Sequence, residues 1–482
     1  MKRPAFRRTL CCVAVATLAA ASCPKSQGSN GALAITHVVL FDGTGAPPAR
    51  DMTVVISGER VVSVGPSAVT AVPAAARVVD GSGEFLIPGL WDMHTHVVLA
   101  GDDALALLVA NGVTGVRDMG GDAATLRRWR SEIAAGSRVG PELVFTSPVL
   151  ESATWLRRIL QIHLPGFEFP NPDQMLNPHL GVALADDAES AVDSVLAAGS
   201  AFVKFRTIES RAAYFAIARA SRTKGVAFVG HSPTPSVTWA EASDSGQKSI
   251  EHTDFRSHLD GLDQSARSGL YAKLATNGTW LTPTLVSGIV STASTDVLGA
   301  RLAEEVSTGR RSAVDGLHYL NHRMLESFRR DLFIQRASAE GDSASRQQQW
   351  TGTIRHLREM HLAGVPMLTG TDLGALWVFP GASLHDELSM FVHDVGFTPR
   401  EVLETATRKA ATFVGEGPQA GTIEPGKRAD CVLLSADPLA SIENTRQIAA
   451  VVARGRLLER HDLDTLLAAV RARARGRTTG RG

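Results

Sequence analysis

Two histidines, His94 and His96, end the run Leu86-Ile-Pro-Gly-Leu-Trp-Asp-Met-His-Thr-His96. On a strand, residues i and i+2 point to the same face, so the two imidazoles converge on one point. Such a donor pair suits a divalent metal. Taken alone it also fits two ordinary strand histidines. The metal reading gains its force from further donor types at later strand ends. Lys204 lies in Ala201-Phe-Val-Lys-Phe205, His231 in Gly230-His231-Ser-Pro, His252 at the end of Ser249-Ile-Glu-His252, and Asp372 at the end of Met367-Leu-Thr-Gly-Thr-Asp372.

The elements that carry these residues alternate. From about 91 to 420, short apolar runs are separated by helical segments, which argues a parallel α/β fold. Eight strands are expected: Gly89–His94, Val113–Asp118, Glu142–Ser147, Ala201–Phe205, Ala227–Gly230, Lys248–His252, Trp280–Leu285 and Val365–Thr369. Eight such units fit a (β/α)8 TIM barrel at 89–420, with a doubly wound sheet as the alternative. In a barrel the C-terminal strand ends ring one face, which would bring the four histidines, the lysine and Asp372 together. The polar, helical stretch 286–359 falls between the last two strands and reads as a helical insertion forming a lid over that face. Both chain ends are instead β-rich with Gly and Pro breaks. Residues 23–88 and 421–460 are expected to pair into one small composite β-sandwich domain. Residues 461–482 read as a C-terminal helix and a basic, solvated tail.

The chain has 482 residues, 44% of them hydrophobic, and 49 basic against 49 acidic side chains. That balance gives no case for nucleic acid as a partner. Lys2, Arg3, Arg7 and Arg8 precede an apolar stretch, Thr9 to Ala21, that is too short to span a bilayer. Residues 1–22 therefore read as a signal peptide. Leu18-Ala-Ala-Ala-Ser-Cys23 looks like a bacterial lipobox, so an exported lipoprotein is expected, periplasmic or attached at the outer membrane through a lipid on Cys23. A soluble periplasmic or secreted product is the alternative. Cys11 and Cys12 fall in the signal, so with Cys23 lipidated Cys431 is the one thiol left and no intrachain disulfide forms.

With these motifs in hand, the chain resembles the amidohydrolase superfamily, in its imidazolonepropionase-like and dipeptidase-like (prolidase-related) branch. The resemblance is carried by Pro88-Gly-Leu-x-Asp-x-His-x-His96, Val203-Lys-Phe205, Gly230-His231, Ile250-Glu-His252, Thr369-Gly-Thr-Asp372 and Ala420-Gly-Thr-Ile-Glu-Pro-Gly-Lys-Arg-Ala-Asp430. It implies two divalent metal ions, zinc by ligand type. His94, His96 and Asp372 would hold the more buried ion, and His231 and His252 the second. Lys204 would bridge both as an N-carboxylated lysine, because a carbamate offers two anionic oxygens where an amine offers none. The implied reaction is cleavage of a C–N amide bond in a dipeptide or N-acyl amino acid by metal-activated hydroxide. Asp372 would act as general base and then acid. A cyclic amide or lactone hydrolase, or a deaminase, is the alternative enzyme. An inactive surface binding protein on the same scaffold is the alternative outside enzymology.

Three further residues are candidates for substrate contact. Arg206 and Tyr214 follow the lysine strand and could hold a substrate carboxylate, Arg206 through its bidentate fork. His163 lies in a Pro- and aromatic-rich stretch and could line a pocket, although it and His179 also read as surface-loop histidines. His385-Asp-Glu387 reads as a helix start with exposed acids.

Overall fold

The structure is a computed structural model. It describes residues 31–160, 178–290, 292–293, 316–321, 324–325, 327–332 and 343–479. The expected signal, lipobox Cys23 and His163 lie outside the described residues.

The two chain ends meet in one sheet. Its strands are β1 (Leu33–Leu40), β2 (Ala49–Ser57), β3 (Arg60–Pro66), β4 (Arg77–Asp80), β5 (Phe85–Pro88), β15 (Cys431–Leu434), β16 (Ile448–Ala453) and β17 (Arg456–Glu459). Their order is β17-β16-β15-β5-β1-β2-β3, with β4 beside β1. The junction of the ends is the antiparallel β5–β15 pair, from Phe85↔Leu434 to Pro88↔Cys431. Alternation along β1 and its partners buries Leu33, Ile35, Val54, Ile56, Leu86 and Leu433 in a core of its own. Gly89 follows at once and lets the chain press against the next strand. A Cβ there would sit 2.0 Å from Thr114 Oγ1.

Between these ends run parallel strands. β6 (Leu90–Thr95), β7 (Val113–Asp118) and β8 (Glu142–Phe145) form one group. β9 (Val149–Ser152), β10 (His179–Val182), β11 (Phe202–Phe205), β12 (Ala227–Gly230), β13 (Gln247–Glu251) and β14 (Trp280–Thr282) form another, in the order β10-β9-β11-β12-β13-β14. β6 and β7 are buried along their whole length, as parallel strands covered on both faces must be. Single contacts join the edges of the groups. Ala201 N donates to Phe145 O at 2.9 Å. On the other side Met367 bridges Leu281 in parallel, and Met93 N donates to Thr369 O at 3.0 Å. This mixed α/β architecture with parallel sheets fits a TIM-barrel-type scaffold.

Seven of the eight expected strands appear as strands, and the eighth as an extended segment held by that bridge and its backbone bonds. β9 and β10 were not anticipated. The helix Ser343–Leu362, at the end of the expected insertion, packs along the side of the scaffold. There His356 Nε2 lies 2.8 Å from Asp260 Oδ1 and Tyr271 Oη 3.1 Å from His356 Nδ1.

Two expectations need correction. The C-terminal helix Arg460–Thr479 is docked rather than solvated as far as Ala474. Val470 and Ala474, one turn apart, are buried, Arg473 Nε donates to Asp103 Oδ1 at 2.7 Å, and Arg471 Nη2 donates to Tyr319 Oη at 3.2 Å. Within the helix Ala382–Met390, His385 and Glu387 are buried. Glu387 accepts from Leu285 N at 3.0 Å and Val286 N at 2.8 Å, satisfying the free amides that open the helix Leu285–Val290. A carboxylate with partners a hundred residues away has no local sequence signature.

Candidate metal centre

The site is assembled by two contacts between distant segments. Asp92 lies on β6 between the two sheets and is fully buried. Its Oδ1 accepts from Thr371 N at 2.9 Å and its Oδ2 from the Thr371 hydroxyl at 2.6 Å. Asp372 N then donates to His94 O at 2.8 Å. Gly370 makes this closeness possible, since a Cβ there would sit 2.8 Å from His94 N. Asp372 is thereby fixed beside the His-x-His pair. Burial pushes the Asp92 carboxyl up to about 7, as expected of a buried acid serving as a tie between segments.

Asp372 is the hub. Its Oδ1 lies 3.5 Å from His94 Nε2 and 3.7 Å from His96 Nε2, and its Oδ2 lies 4.0 Å from His252 Nδ1. The Ser287 hydroxyl donates to Oδ2 at 3.4 Å. His94, His252 and Asp372 each offer a ligand atom within 4.8 Å of the others. The rings continue outward: His94 to His252 centroids are 4.5 Å apart and His252 to His231 another 4.5 Å. Asp372 and His252 both hold positive φ, 61° and 67°. L residues rarely adopt such angles, and they cluster where function over-determines the backbone.

Charge within the site follows from burial. Desolvation, reinforced by Lys204, holds His94 well below its ordinary pKa and brings His96 to about 4. Desolvation and the neighbouring His252 do the same to His231. These imidazoles are therefore neutral donors, as metal ligation requires. Burial also brings the Lys204 ammonium down to about 8. Burial alone would raise the Asp372 carboxyl, but His252, His96 and Lys204 outweigh it and hold the group below its ordinary value.

The ring orientations are set from behind. His94 Nδ1 donates to Glu251 Oε2 at 3.0 Å, and His96 Nδ1 to Gly120 O at 2.9 Å. Each Nε2 lone pair is thus left facing Asp372. Among the described residues, the buried His94 Nε2 has no hydrogen-bond partner. An orphaned buried acceptor beside a carboxylate and a second imidazole is what a ligand atom for a cation looks like. The donor set fits a divalent metal.

All six expected ligand residues fall in or beside this cluster. The substrate candidates divide. Arg206 stands at the β11 end. Tyr214 does not face the site. It is fully buried on the helix Arg211–Thr223, its ring packs on Phe205 and Phe228, and its hydroxyl donates to Gln247 Oε1 at 2.7 Å. Helical phase turned it onto the outer, helix-covered side of the strands, where no substrate reaches. His179 is no surface-loop residue, since its Nδ1 lies 3.5 Å from the buried Glu151.

Reasoning from sequence missed Arg117, Glu151 and the pair Arg330–Asp331. Arg117 is wholly buried. It donates to Met93 O at 2.6 Å, Glu251 Oε2 at 2.7 Å, and the hydroxyls of Ser249 and Thr282 at 3.1 Å each. An arginine inside an apolar strand, Val113-Thr-Gly-Val-Arg-Asp118, was the available signal.

Comparison with known proteins agrees with this arrangement. The imidazolonepropionase of Arthrobacter sp. (strain FB24) is 51% identical over 53 residues, 11% of this chain and 13% of that enzyme. The chain spans well under two thirds of that relative's length. A structure from Bifidobacterium longum, described as a prolidase candidate, superposes with a TM-score of 0.66 at 23% identity, covering 92% of this chain and 99% of that one. A Xaa-Pro dipeptidase with bound methionine gives 0.65 at 18% identity, covering 89% and 100%. Identities this low speak for the fold. The Amidohydrolase family profile matches residues 85–458, and the chain belongs to the amidohydrolase family.

Proposed function

We propose that the chain is a metal-dependent hydrolase that cleaves a C–N amide bond of a dipeptide or N-acyl amino acid. One observation carries the reading: among the described residues His94 Nε2 is a buried acceptor without a hydrogen-bond partner, 3.5 Å from Asp372 Oδ1, among imidazoles held neutral. His94, His96 and Asp372 would hold one divalent ion, and His231 and His252 a second, with Lys204 between them. Zinc suits this mixture of imidazole and carboxylate. When bound, the ions supply Lewis acidity at the substrate carbonyl and lower the pKa of water.

The chain's own residues do the rest. A lysine brought down to about 8 is unprotonated often enough to add CO2, releasing a proton and gaining two anionic oxygens. Asp372 takes the proton of the attacking water at Oδ and delivers it to the leaving nitrogen. The scaffold proposed for this work is the (β/α)8 barrel at 89–420, braced by the composite β domain of 23–88 and 421–460. Export as a lipoprotein anchored through Cys23 completes the reading, with a soluble periplasmic or secreted form as its alternative. Among the described residues no helix is long and apolar enough to cross a membrane.

The local likeness to imidazolonepropionase favours one second reading, hydrolysis of a cyclic amide. Amine release from dipeptides, N-acyl amino acids and cyclic amides, with metal-loaded wild type and Asp372→Asn, separates the two. Turnover of the linear amides that disappears in the variant supports the first; turnover of cyclic amides alone supports the second.

A further inference from the structure

At the end of β11 the guanidinium fork of Arg206 is unused among the described residues. Arg206 follows the last residue of β11, two positions beyond Lys204, and its charge acts on Lys204, His231 and Asp372. The chain bends there, and Arg206 N donates to Leu150 O at 2.9 Å on β9. Its guanidinium carbon lies over the Trp155 ring, 3.8 Å from the centroid. Nε faces Glu151 Oε2 at 3.7 Å, beyond hydrogen-bonding distance. Among the described residues neither terminal NH2 group has a hydrogen-bond partner. The side chain is 34% exposed, while Glu151 behind it is wholly buried.

This is an expensive arrangement for a purely structural pair. A buried carboxylate normally collects direct hydrogen bonds from its cation. Here Glu151 attracts the arginine without engaging the fork, and Trp155 fixes the plane of the guanidinium. The two NH2 groups are left as parallel donors within electrostatic range of Lys204. That geometry matches a carboxylate in bidentate contact. Arg330, on the helical stretch 327–332, adds positive potential, and Asp372 lies within electrostatic range. In an amide of an α-amino acid the carboxylate lies one residue from the scissile carbonyl, which fits a donor two positions along the chain from the lysine.

We propose that Arg206 grips the free carboxylate of the substrate, with Trp155 and Glu151 as positioning residues, so that the enzyme acts on amides of amino acids with a free carboxyl group. This rests on the hydrolase reading above. It goes further by naming the group that selects the substrate.

The test uses the metal-loaded chain with two readouts. The first is hydrolysis of dipeptides against their C-terminal amides. The free acids should be preferred about 30-fold or more in kcat/KM, the worth of a charge-assisted bidentate contact. Arg206→Ala should erase the preference mainly through KM, Arg206→Lys should restore part of it, and Glu151→Gln should raise KM with kcat nearly unchanged. The second readout is calorimetric binding of a free amino acid against its amide, which requires no turnover. Wild type should bind the acid more tightly, and Arg206→Ala should bind the two alike. Equal treatment of acid and amide in both readouts, or a preference that survives Arg206→Ala, overturns the proposal. An Arg206-dependent difference in binding without hydrolysis of any dipeptide upholds the carboxylate grip and removes the hydrolase reading instead.

Discussion

His94 Nδ1 lies 3.0 Å from Glu251 Oε2, and Arg117 Nη2 donates to that same oxygen at 2.7 Å. One carboxylate oxygen therefore serves an imidazole of the candidate metal site and the buried guanidinium of Arg117. The other oxygen, Oε1, accepts from the Ser249 hydroxyl. This fixes the tautomer and the plane of His94, so its Nε2 lone pair faces the cluster.

Removing that charge should loosen the metal before it disturbs the fold's outline. Glu251→Gln is expected to lower metal affinity roughly 10- to 100-fold. It should also destabilise the chain by about 3–5 kcal/mol, because Arg117 is left buried without its counter-charge. Metal retained after dialysis and the thermal midpoint check both. A variant with wild-type metal retention would remove Glu251 from the account of the site.

Lys204→Ala should lower the metal content from about two to about one per chain and suppress turnover. If Lys204 acts as a carbamate, added short-chain carboxylates should restore part of the rate by supplying the missing oxygens. Rescue by bicarbonate in the wild type alone, with none by carboxylates in the variant, would leave the bridging role unsupported.

Tyr214→Phe should leave kcat and KM within about two-fold of wild type while costing about 1 kcal/mol, the worth of a buried hydrogen bond to Gln247. Urea unfolding and steady-state kinetics measure the two separately. A ten-fold rise in KM, on the order of 1.4 kcal/mol, would return this tyrosine to the substrate site.

His385 contributes to the pH dependence of stability from outside the candidate metal site. Burial, with Arg446 nearby, brings its pKa down to about 3 from 6.5. Its Nε2 donates to Asn111 O at 3.0 Å and its Nδ1 lies 2.9 Å from Thr445 Oγ1, so the folded chain holds it neutral. Below pH 6.5 the unfolded chain binds a proton that the folded chain refuses. Stability therefore falls as pH drops through the window from 6.5 to about 3, by at most about 1.4 kcal/mol per pH unit. His385→Gln should flatten this slope. Denaturant unfolding at pH 7 and pH 5 decides it, and an unchanged slope in the variant would assign the loss to other groups.

The candidate ligand residues stood out in the sequence because each is a donor type at or near the end of an apolar run, and such runs are a local property. Asp92 and His94 belong to β6 and His96 directly follows it, capping the short helix Val97–Ala100, and the His-x-His spacing alone suggested two imidazoles converging on one point. What holds them was not legible. Glu251 meets Arg117 across the interior, Glu387 meets Leu285 N across a hundred residues, and Thr371 meets Asp92 from the far end of the scaffold. Such partners follow from closure of the fold, which no local pattern encodes. β9 and β10 were missed for a related reason. They are four-residue strands, and the segment 161–177 between them has turn-like composition. Tyr214 failed on helical phase, where a small rotation exchanges the mouth of the site for its outer wall.

The central claim is that His94, His96, Lys204, His231, His252 and Asp372 hold two divalent ions. Metal content per chain tests it most directly, measured by mass spectrometry on residues 24–482 purified without chelator and again after incubation with zinc and bicarbonate. About two ions per chain, falling on substitution of Lys204 or Asp372, is the predicted result. No bound metal under either condition would contradict the account.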